Sequence, residues 1–408
     1  MKCRHCSSSL NHIFIDLGFS PPSNAYLSKH DLDKGEIYLP LKIFVCDQCW
    51  LAQTKDYAKQ DTLFGSDYAY FSSFSNSWLE HAEQYVEMIT ELLQLRENSL
   101  VVEIAANDGY LLKNFVKKKI PCLGIEPTDS TAAAAESEGV PIIRKFFDSV
   151  LAKELSKNEK YADLIIGNNV YAHVPDINDF TKGISLLLDK NGVVTLEFPH
   201  LYRLIKENQF DTIYHEHYSY LSLNTVSKIF NQAGLKIWHA EELTTHGGSL
   251  RVFGCHEKNN RSINDSVAQI KKMEHKFGME RLITYEKLQE NANKIKNDLL
   301  NYLINMKEKG KKVTAYGAAA KGNTLLNYAG IKHDLLNCVY DASPHKQNKY
   351  LPGSHIPVYS PERIKQDAPD VILILPWNLK DEIVSQLSYI KEWEGHFITA
   401  IPELTLLD

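Results

Sequence analysis

Residues 99–126 read SLVVEIAANDGYLLKNFVKKKIPCLGIE, and this stretch decides the fold of the chain around it. The apolar run SLVVEI predicts a buried strand, AANDG a tight loop, YLLKNFVKKK a helix and CLGIE a second strand. Two parallel strands need a crossover connection of this kind, usually a helix. The stretch therefore predicts the start of a doubly wound α/β sheet, in which ligands bind at the carboxyl ends of the strands.

The same alternation continues towards the C-terminus. Residues 161–170, YADLIIGNNV, predict a strand that ends at Asn168 and Asn169. A turn and an amphipathic helix follow in residues 171–188, YAHVPDINDFTKGISLLL, and residues 192–200, GVVTLEFPH, predict a further strand. A central Rossmann-like domain of the doubly wound type is the fold that this pattern indicates.

Acidic residues at the predicted strand ends indicate the kind of cofactor. Glu126 ends the second strand, where a carboxylate accepts hydrogen bonds from both ribose hydroxyls of an adenosine. The loop has no G-x-G-x-x-G pattern, and Ala105 and Ala106 stand where glycines would admit a pyrophosphate, so a diphosphate cofactor is disfavoured. An anionic loop with Glu103 and Asp108 suits an ammonium and a sulfonium, the two cationic groups of S-adenosylmethionine. The candidate cofactor-binding residues are Glu103, Asn107, Asp108, Gly109, Glu126, Pro127, Asn168 and Asn169.

Two C-x-x-C pairs near the N-terminus predict a metal site. Cys3 with Cys6, and Cys46 with Cys49, supply four thiolates for one tetrahedral zinc ion. Four thiolates leave no open coordination position, so the zinc is expected to be structural; a catalytic zinc and free buried cysteines are the alternatives. The segment between the pairs is long, and we expect metal closure of this loop to substitute for a missing core.

Length and composition limit the possible classes of protein. A chain of 408 residues exceeds one ordinary core. We expect residues 1–70 to form a zinc module, 71–260 the S-adenosylmethionine-binding domain, 261–305 connecting helices and 306–408 a C-terminal domain. The net charge of −6 gives no electrostatic reason to expect nucleic acid or an anionic membrane as a partner. There is no apolar run of membrane-spanning length and no apolar signal-peptide core, and the seven cysteines suit a reducing compartment, so a cytoplasmic protein is expected.

The C-terminal part predicts a second Rossmann-like unit. Residues 311–330, KKVTAYGAAAKGNTLLNYAG, read as strand, loop and helix, and NCVYDAS and VILILPWN as further strands. Gly317 and Gly322 have the spacing of a phosphate loop, but Lys321 precedes the second glycine, so a Walker loop is disfavoured. We expect Lys321, Asn323 and Lys349 to bind the nucleotide of a substrate; a dinucleotide bound at this loop is the alternative.

Residues 196–222, LEFPHLYRLIKENQFDTIYHEHYSYLS, concentrate groups that donate, accept or move protons. In an extended segment His215 and His217 would face one side, and Tyr214 and Glu216 the other. Metal binding by the two histidines, or a packed aromatic core with a charged rim, are the alternatives. His173 follows a strand of the central sheet and points to the same rim. The glycine turn downstream contributes the candidate substrate-binding residues His246, Gly248, Ser249 and Arg251.

Six motifs occur together and in order: CRHC, CDQC, EIAANDG with GIEP, NNVYAHVPD, YHEHYSYLS and THGGSLRVF. In this combination the chain resembles the sugar C-methyltransferase family over essentially its whole length. These are zinc-containing, S-adenosylmethionine-dependent enzymes that methylate a carbon of a nucleotide-linked keto-deoxysugar. Ala105 departs from the family loop, which more often carries glycine there.

The resemblance implies catalytic roles for Tyr214, Glu216, His217 and His173, and for either Tyr68 or Tyr70. Methyl transfer to carbon requires enolisation beside a ketone, which needs a base and a hydrogen-bond donor to the oxygen. We expect His217 to be the base and Tyr214 a donor. An NAD-dependent sugar-nucleotide oxidoreductase and a non-catalytic zinc-anchored scaffold are the alternatives.

Overall fold

The structure, a computed structural model, describes residues 1–57, 72–74, 76–157 and 160–407. These residues form three sheets. The N-terminal sheet is antiparallel, in the order β1 (His12–Ser20), β2 (Leu39–Val45), β3 (Ala52–Thr54) and β9 (Ser219–Tyr220). Its last strand comes from the middle of the chain, since Ala52 pairs with Tyr220. The zinc module and the proton-handling stretch are therefore joined by backbone hydrogen bonds.

The central sheet has seven strands in the order β6-β5-β4-β7-β8-β11-β10. Its strands are β4 (Val101–Ile104), β5 (Cys122–Ile125), β6 (Ile142–Ile143), β7 (Ala162–Asn168), β8 (Leu188–Pro199), β10 (Leu235–Leu243) and β11 (Ser249–His256). β6, β5, β4, β7 and β8 are parallel, and β11 runs antiparallel to β8. The carboxyl ends of β4, β5, β7 and β8 consequently meet at one edge. The predicted Rossmann-like α/β fold is confirmed.

The C-terminal sheet has the order β14-β13-β12-β15-β16-β17 and is parallel except for its last strand. Its strands are β12 (Val313–Tyr316), β13 (Val339–Tyr340), β14 (Val358–Tyr359), β15 (Val371–Ile374), β16 (His396–Thr399) and β17 (Thr405–Leu407). β12, the following loop and a helix form the Rossmann-like unit that the sequence predicted.

Twelve α-helices lie within the described residues. They are α1 (Asn76–Leu93), α2 (Leu112–Lys117), α3 (Asp129–Ser137), α4 (Ser149–Ser156), α5 (Ile177–Leu187), α6 (Leu201–Lys206), α7 (Leu223–Gln232), α8 (Asp265–Phe277), α9 (Leu282–Glu308), α10 (Ala320–Ala329), α11 (Ile364–Asp367) and α12 (Lys380–Gln386). Asp148, Asp176 and Ser222 cap α4, α5 and α7 with side-chain oxygens that accept backbone N–H groups. None of the helices in the described part of the chain is both long and apolar enough to cross a membrane.

The N-terminal sheet shares a hydrophobic core with the C-terminal domain. Phe14, Ile15 and Ile43 are buried in the same cluster as Leu299 of α9 and Leu326 of α10. The expectation that metal closure replaces a missing core was therefore wrong. The N-terminal segment buries its alternate apolar side chains against helices that are distant in sequence, so the metal site is an addition to an ordinary core.

Candidate active site

The loop after β4 adopts a conformation that few residue types tolerate. Ala105 and Asn107 have φ values of 58° and 50°, in the left-handed region. Gly109 has a φ of 75°, and a Cβ there would lie 3.1 Å from the Cα of Ala135. Ala105 thus occupies a position that suits glycine. The residue at which this sequence differs from the family pattern is therefore one with a strained backbone. Strain held in this loop is consistent with a binding site.

Glu103 is the main acidic group at this edge. It is 1% exposed, and neither of its carboxylate oxygens has a hydrogen-bond partner among the described residues. Burial first, and then the charges of Asp108 and Glu126, raise the pKa of Glu103 well above its ordinary value. A buried carboxyl with open acceptors fits a cationic ligand that donates hydrogen bonds. The side-chain amide of Asn168, at the end of β7, is also buried without a partner in the described part of the chain.

Glu126 is held in place by the backbone. One carboxylate oxygen accepts from the N–H of Asn107 at 3.0 Å, and the other from the N–H of Thr128 at 2.9 Å. Each oxygen keeps a second lone pair, so the carboxylate can still accept two ribose hydroxyls. The adjoining residues Pro127 and Asn169 are half-buried at the same edge. These residues together fit S-adenosylmethionine by charge and by hydrogen-bonding capacity.

A short helix, Ser72–Phe74, binds the cofactor loop. The N–H of Ser72 donates to Asn107 Oδ1 at 2.9 Å, and the N–H and hydroxyl of Ser73 donate to Asp108 Oδ2 at 3.0 and 2.5 Å. These contacts join residues 35 positions apart, so no local sequence pattern predicts them. Tyr68 and Tyr70 lie outside the described residues.

Residues 214–217 form a turn, not an extended segment. The N–H of His217 donates to the carbonyl of Tyr214 at 3.0 Å. The rings of these two residues consequently meet, with centroids 4.0 Å apart. The expected pairing of Tyr214 with Glu216 on one face, and of His215 with His217 on the other, was therefore wrong. A turn places residues three apart side by side, whereas a strand would separate them.

His217 is fixed in one tautomer. Its Nδ1 lies 3.0 Å from the carbonyl oxygen of Thr212, and because a carbonyl can only accept, Nδ1 carries the proton and Nε2 the lone pair. Burial, aided by the nearby His173, His246 and Lys321, lowers the pKa of His217 well below its ordinary value. His173 lies with its ring centroid 4.7 Å from that of His217, and burial lowers its pKa to about 4. Both imidazoles are therefore neutral near pH 7.

The other residues of the stretch point elsewhere. Both oxygens of Glu216 accept from the amide of Asn24, at 3.0 and 2.7 Å, and burial raises the pKa of Glu216 to about 7. His215 contacts the carbonyl of Leu39 on β2 at 3.3 Å, away from His217. Tyr218 is buried beneath the guanidinium of Arg4, 5.3 Å from its ring centroid. The geometry does not support a metal site shared by His215 and His217.

The candidate substrate-binding residues of the glycine turn fall into two groups. His246 is half-buried with a φ of 54°, its ring meets Trp78 edge-on at 5.0 Å, and burial lowers its pKa to about 4. Gly248 and Ser249 shape this turn, with a φ of 113° at Gly248 and a Ser249 hydroxyl that donates to the carbonyl of Thr245 at 3.0 Å. Arg251 instead pairs with Glu197 at 2.9 Å beneath the sheet edge. Its charge is balanced inside the fold, so the geometry contradicts the expected phosphate contact of Arg251.

The C-terminal candidates also separate in space. Lys321, at the start of α10, lies near the histidines, and its charge contributes to the lowered pKa of both His217 and His246. Asn323 donates to the carbonyl of Ser23 at 2.6 Å, which ties α10 to the N-terminal segment. Lys349 is half-buried after β13, and within the described residues its side chain makes no hydrogen bond or ion pair with the histidines.

The four cysteines converge on one point. Their sulfur atoms all lie within 4.8 Å of one another, and the Cys3–Cys49 and Cys6–Cys46 sulfur distances are each 3.5 Å. A tetrahedral ion with bonds of about 2.3 Å requires sulfur separations near this value. The side-chain amide of Gln53 donates to the Cys3 sulfur at 3.2 Å, an outer contact typical of thiolate sites. The four residues fit a closed, structural zinc site.

Three features define a zinc-containing methyltransferase with a Rossmann-like catalytic domain. They are the strand order of the central sheet, the acidic residues at the carboxyl ends of its strands, and the cluster of four cysteine sulfurs. Comparison with known proteins narrows this class. Residues 3–64 match the model of a putative zinc binding domain, 78–240 a methyltransferase domain, and 244–402 the C-methyltransferase C-terminal domain. The C-methyltransferase NovU of Streptomyces niveus is 33% identical over 402 residues, covering 98% of this chain and 96% of that protein. The chain belongs to the C-methyltransferase family, with S-adenosylmethionine and zinc as its cofactors.

Solved structures resemble part of the chain. An S-adenosylmethionine-dependent methyltransferase from Clostridium acetobutylicum is 12% identical, covering 44% of this chain and 92% of its own, with a TM-score of 0.35. A protein from Pyrococcus horikoshii is 13% identical, covering 46% and 95%, with a TM-score of 0.38. The fold assignment rests on the sheet order and the family match instead.

Proposed function

We propose that this enzyme methylates a nucleotide-diphosphate-linked keto-deoxysugar at the carbon next to its ketone. The observation that carries the proposal is His217, a neutral and buried histidine whose tautomer is set by the Thr212 carbonyl and whose ring contacts Tyr214. A C-methyltransferase needs a nucleophilic carbon, and the carbon beside a ketone becomes nucleophilic when its proton is removed. His217 is built to remove such a proton.

The roles of the residues follow from their positions. Nε2 of His217 accepts the carbon-bound proton, the electron pair of the broken C–H bond forms the C=C bond of the enolate, and the π pair of the C=O bond moves to the ketone oxygen. The Tyr214 hydroxyl is our candidate donor to that oxygen, since its ring lies against His217. The His173 ring packs edge-on against His217, and His173 hydrogen-bonds the Glu216 backbone, so it orients the turn. When bound, S-adenosylmethionine supplies the electrophilic methyl group.

The C-terminal loop argues against the alternative of an NAD-dependent oxidoreductase. A Cβ at Gly317 would lie 2.4 Å from Pro376, and one at Gly322 2.8 Å from Leu375, so protein side chains pack against both glycines. Asp341, the acidic residue after β13, accepts from the N–H of Ala318 at 2.7 Å and from that of Ser343 at 2.8 Å. The close packing against Gly317 and Gly322 therefore disfavours a dinucleotide at this loop.

A panel experiment tests this function. The purified protein is incubated with methyl-labelled S-adenosylmethionine and a set of nucleotide-linked keto-deoxysugars, and products are identified by mass spectrometry. We expect one label per sugar, on carbon. Calorimetry should show binding of S-adenosylhomocysteine and none of NAD. Labelling of no member of the set, or binding of NAD, would count against the proposal.

The role of His217 has its own test. His217→Ala should retain S-adenosylhomocysteine binding but lose both methyl transfer and the exchange of the proton next to the ketone with deuterated solvent. His256→Ala is a matched control, because His256, at the end of β11, also contacts a backbone carbonyl, that of Leu188 at 3.1 Å. Exchange that survives in His217→Ala would exclude His217 as the base.

A further inference from the structure

Lys321, for which the sequence predicts a contact with the nucleotide of a substrate, lies near His217 and His246. Its Nζ lies 4.7 Å from the centroid of the Trp377 ring and donates to Asn378 Oδ1 at 2.7 Å. Among the described residues Asn378 is its only hydrogen-bond acceptor. An ammonium has three donors, so hydrogens remain for a further partner.

Trp377 fixes the position of this ammonium relative to two segments, the catalytic turn at residues 214–217 and the glycine turn at residues 245–248. Its indole N–H donates to Asp211 Oδ2 at 2.8 Å, just before the catalytic turn. Its ring also touches the glycine turn, since a Cβ at Gly247 would lie 2.2 Å from Trp377 Cη2. The indole therefore lies between residues 211 and 247, and Lys321 lies on its face.

The start of α10 is tied to the same place from the other side. Thr324, one turn after Lys321, donates its hydroxyl to the carbonyl of Ile213 at 2.8 Å. Residues three apart on a helix share a face, so Lys321 and Thr324 both face the catalytic turn. These contacts hold the ammonium over the Trp377 ring, near enough to both His217 and His246 for its charge to lower their pKa values.

The charges around Lys321 leave its cation largely unneutralised. No carboxylate of the described residues lies within ion-pair distance of Lys321. Burial lowers the pKa of Lys321, and the charge of Asp211, the near acidic group, partly offsets this. Burial raises the pKa of Asp211 to about 6. His217 and His246 are neutral imidazoles with lowered pKa values. A half-buried cation with free donors in such surroundings suits a ligand oxygen that gains negative charge.

We propose that Lys321 is a catalytic residue whose ammonium stabilises the enolate oxygen formed when His217 removes the proton next to the ketone. The inference rests on the proposed function. In this step the C–H bond breaks and the proton goes to His217 Nε2. The C–H electron pair forms the C=C bond, and the π pair of the C=O bond moves to the ketone oxygen, which Lys321 hydrogen-bonds without transferring a proton. The C-terminal domain then supplies part of the catalytic centre, in addition to any contact with the nucleotide.

Lys321→Met tests this role because it keeps length and removes charge, and Lys321→Arg keeps the charge. The first measurement is solvent-deuterium exchange of thymidine diphosphate-4-keto-6-deoxyglucose, or of the panel member that wild type labels, followed by NMR at saturating substrate. We expect Lys321→Met to slow exchange at least about 100-fold, and Lys321→Arg by less than about tenfold. Lys365→Met is the control, since Lys365 makes a similar cation–ring contact with Tyr389 at 4.9 Å on the exposed surface.

The second measurement is the dissociation constant of the nucleoside diphosphate carried by the substrate used for the exchange measurement. We expect Lys321→Met to leave it unchanged within about twofold; an increase of about tenfold or more would assign Lys321 to the diphosphate and overturn the proposal. Unchanged exchange would also overturn it. NMR titration of histidine ring protons needs no substrate: the pKa values of His217 and His246 should rise in Lys321→Met, and unshifted values would refute the placement of the charge. Absence of exchange by wild type across the panel would instead count against the proposed function.

Discussion

Glu216→Gln tests whether ionisation of the buried Glu216 carboxyl, in the catalytic turn, lowers the free energy of unfolding. Glu216 is 2% exposed, and its partner is the amide of Asn24. No described cation forms an ion pair with it, and burial raises its pKa from an ordinary 4.5 to about 7. A glutamine has the same shape as a protonated glutamate and one acceptor oxygen for Asn24, but it cannot ionise.

The magnitude follows from the difference between the two pKa values. Because the pKa of Glu216 is raised in the folded state, the contribution of this residue to the free energy of unfolding is fully present below pH 4.5. That contribution is lost as the pH rises through about 7. At about 1.4 kcal/mol per pH unit, the carboxylate costs about 3 kcal/mol once both states are ionised. The stability gain of Glu216→Gln over wild type should therefore grow by about 2–3 kcal/mol between about pH 5 and pH 8.

Urea unfolding followed by tryptophan fluorescence, at both pH values, measures this difference. Glu308→Gln, at the exposed end of α9, is the control and should show no comparable pH dependence. If the difference between Glu216→Gln and wild type changed by less than about 0.5 kcal/mol over this range, burial would not be what sets the ionisation of Glu216.

Three further predictions concern other parts of the molecule. Gly247→Ala should lower the free energy of unfolding by about 1–3 kcal/mol, because the new Cβ would lie 2.2 Å from the Trp377 indole. Gly310→Ala is the control, because Gly310 also has a positive φ but no neighbouring atom within 4 Å of the new Cβ. Equal denaturation midpoints for the two variants would exclude the clash. Glu103→Gln should weaken S-adenosylhomocysteine binding by about tenfold in calorimetry, since a buried carboxylate with unpartnered oxygens is removed, and unchanged affinity would remove Glu103 from the cofactor site. Removal of zinc by a strong chelator should unfold the loop around Cys3 and Cys46 while leaving the central sheet folded; unchanged hydrogen exchange at these residues would show that the shared core suffices.

Local patterns in the sequence predicted much of the fold. The strand, loop and helix at residues 99–126 were recognisable because buried parallel strands are short apolar runs and the crossover helix has its own period. The four cysteine ligands were recognisable because each pair has the C-x-x-C spacing, in which the two cysteines are three residues apart. Glu103 and Glu126 were placed correctly at one edge of the sheet, since parallel strands bring their carboxyl ends together. How these two residues contact the cofactor stays a prediction.

Contacts between distant segments were not predictable in the same way. The role suggested for Arg251 failed because Glu197, its partner, lies on a neighbouring strand 54 residues away. The missing core of the zinc module was supplied by α9 and α10, more than 250 residues further along the chain. Such contacts depend on which helix and strand faces pack together. Hydrophobic periodicity shows that a segment has an apolar face, but it does not show which other segment covers that face.

The sequence by itself determined the composition of the catalytic stretch, the four zinc ligands and the Rossmann-like sheet, because each depends on residues close together in the chain. Tertiary structure decided how the proton-handling groups are used. A single backbone hydrogen bond turns residues 214–217 so that Tyr214 meets His217, and the Thr212 carbonyl selects the tautomer. Packing of Trp377 between the two functional loops brings Lys321 from the C-terminal domain to that point. Charge, burial and proximity at this centre arise from segments more than 100 residues apart, which only the folded chain brings together.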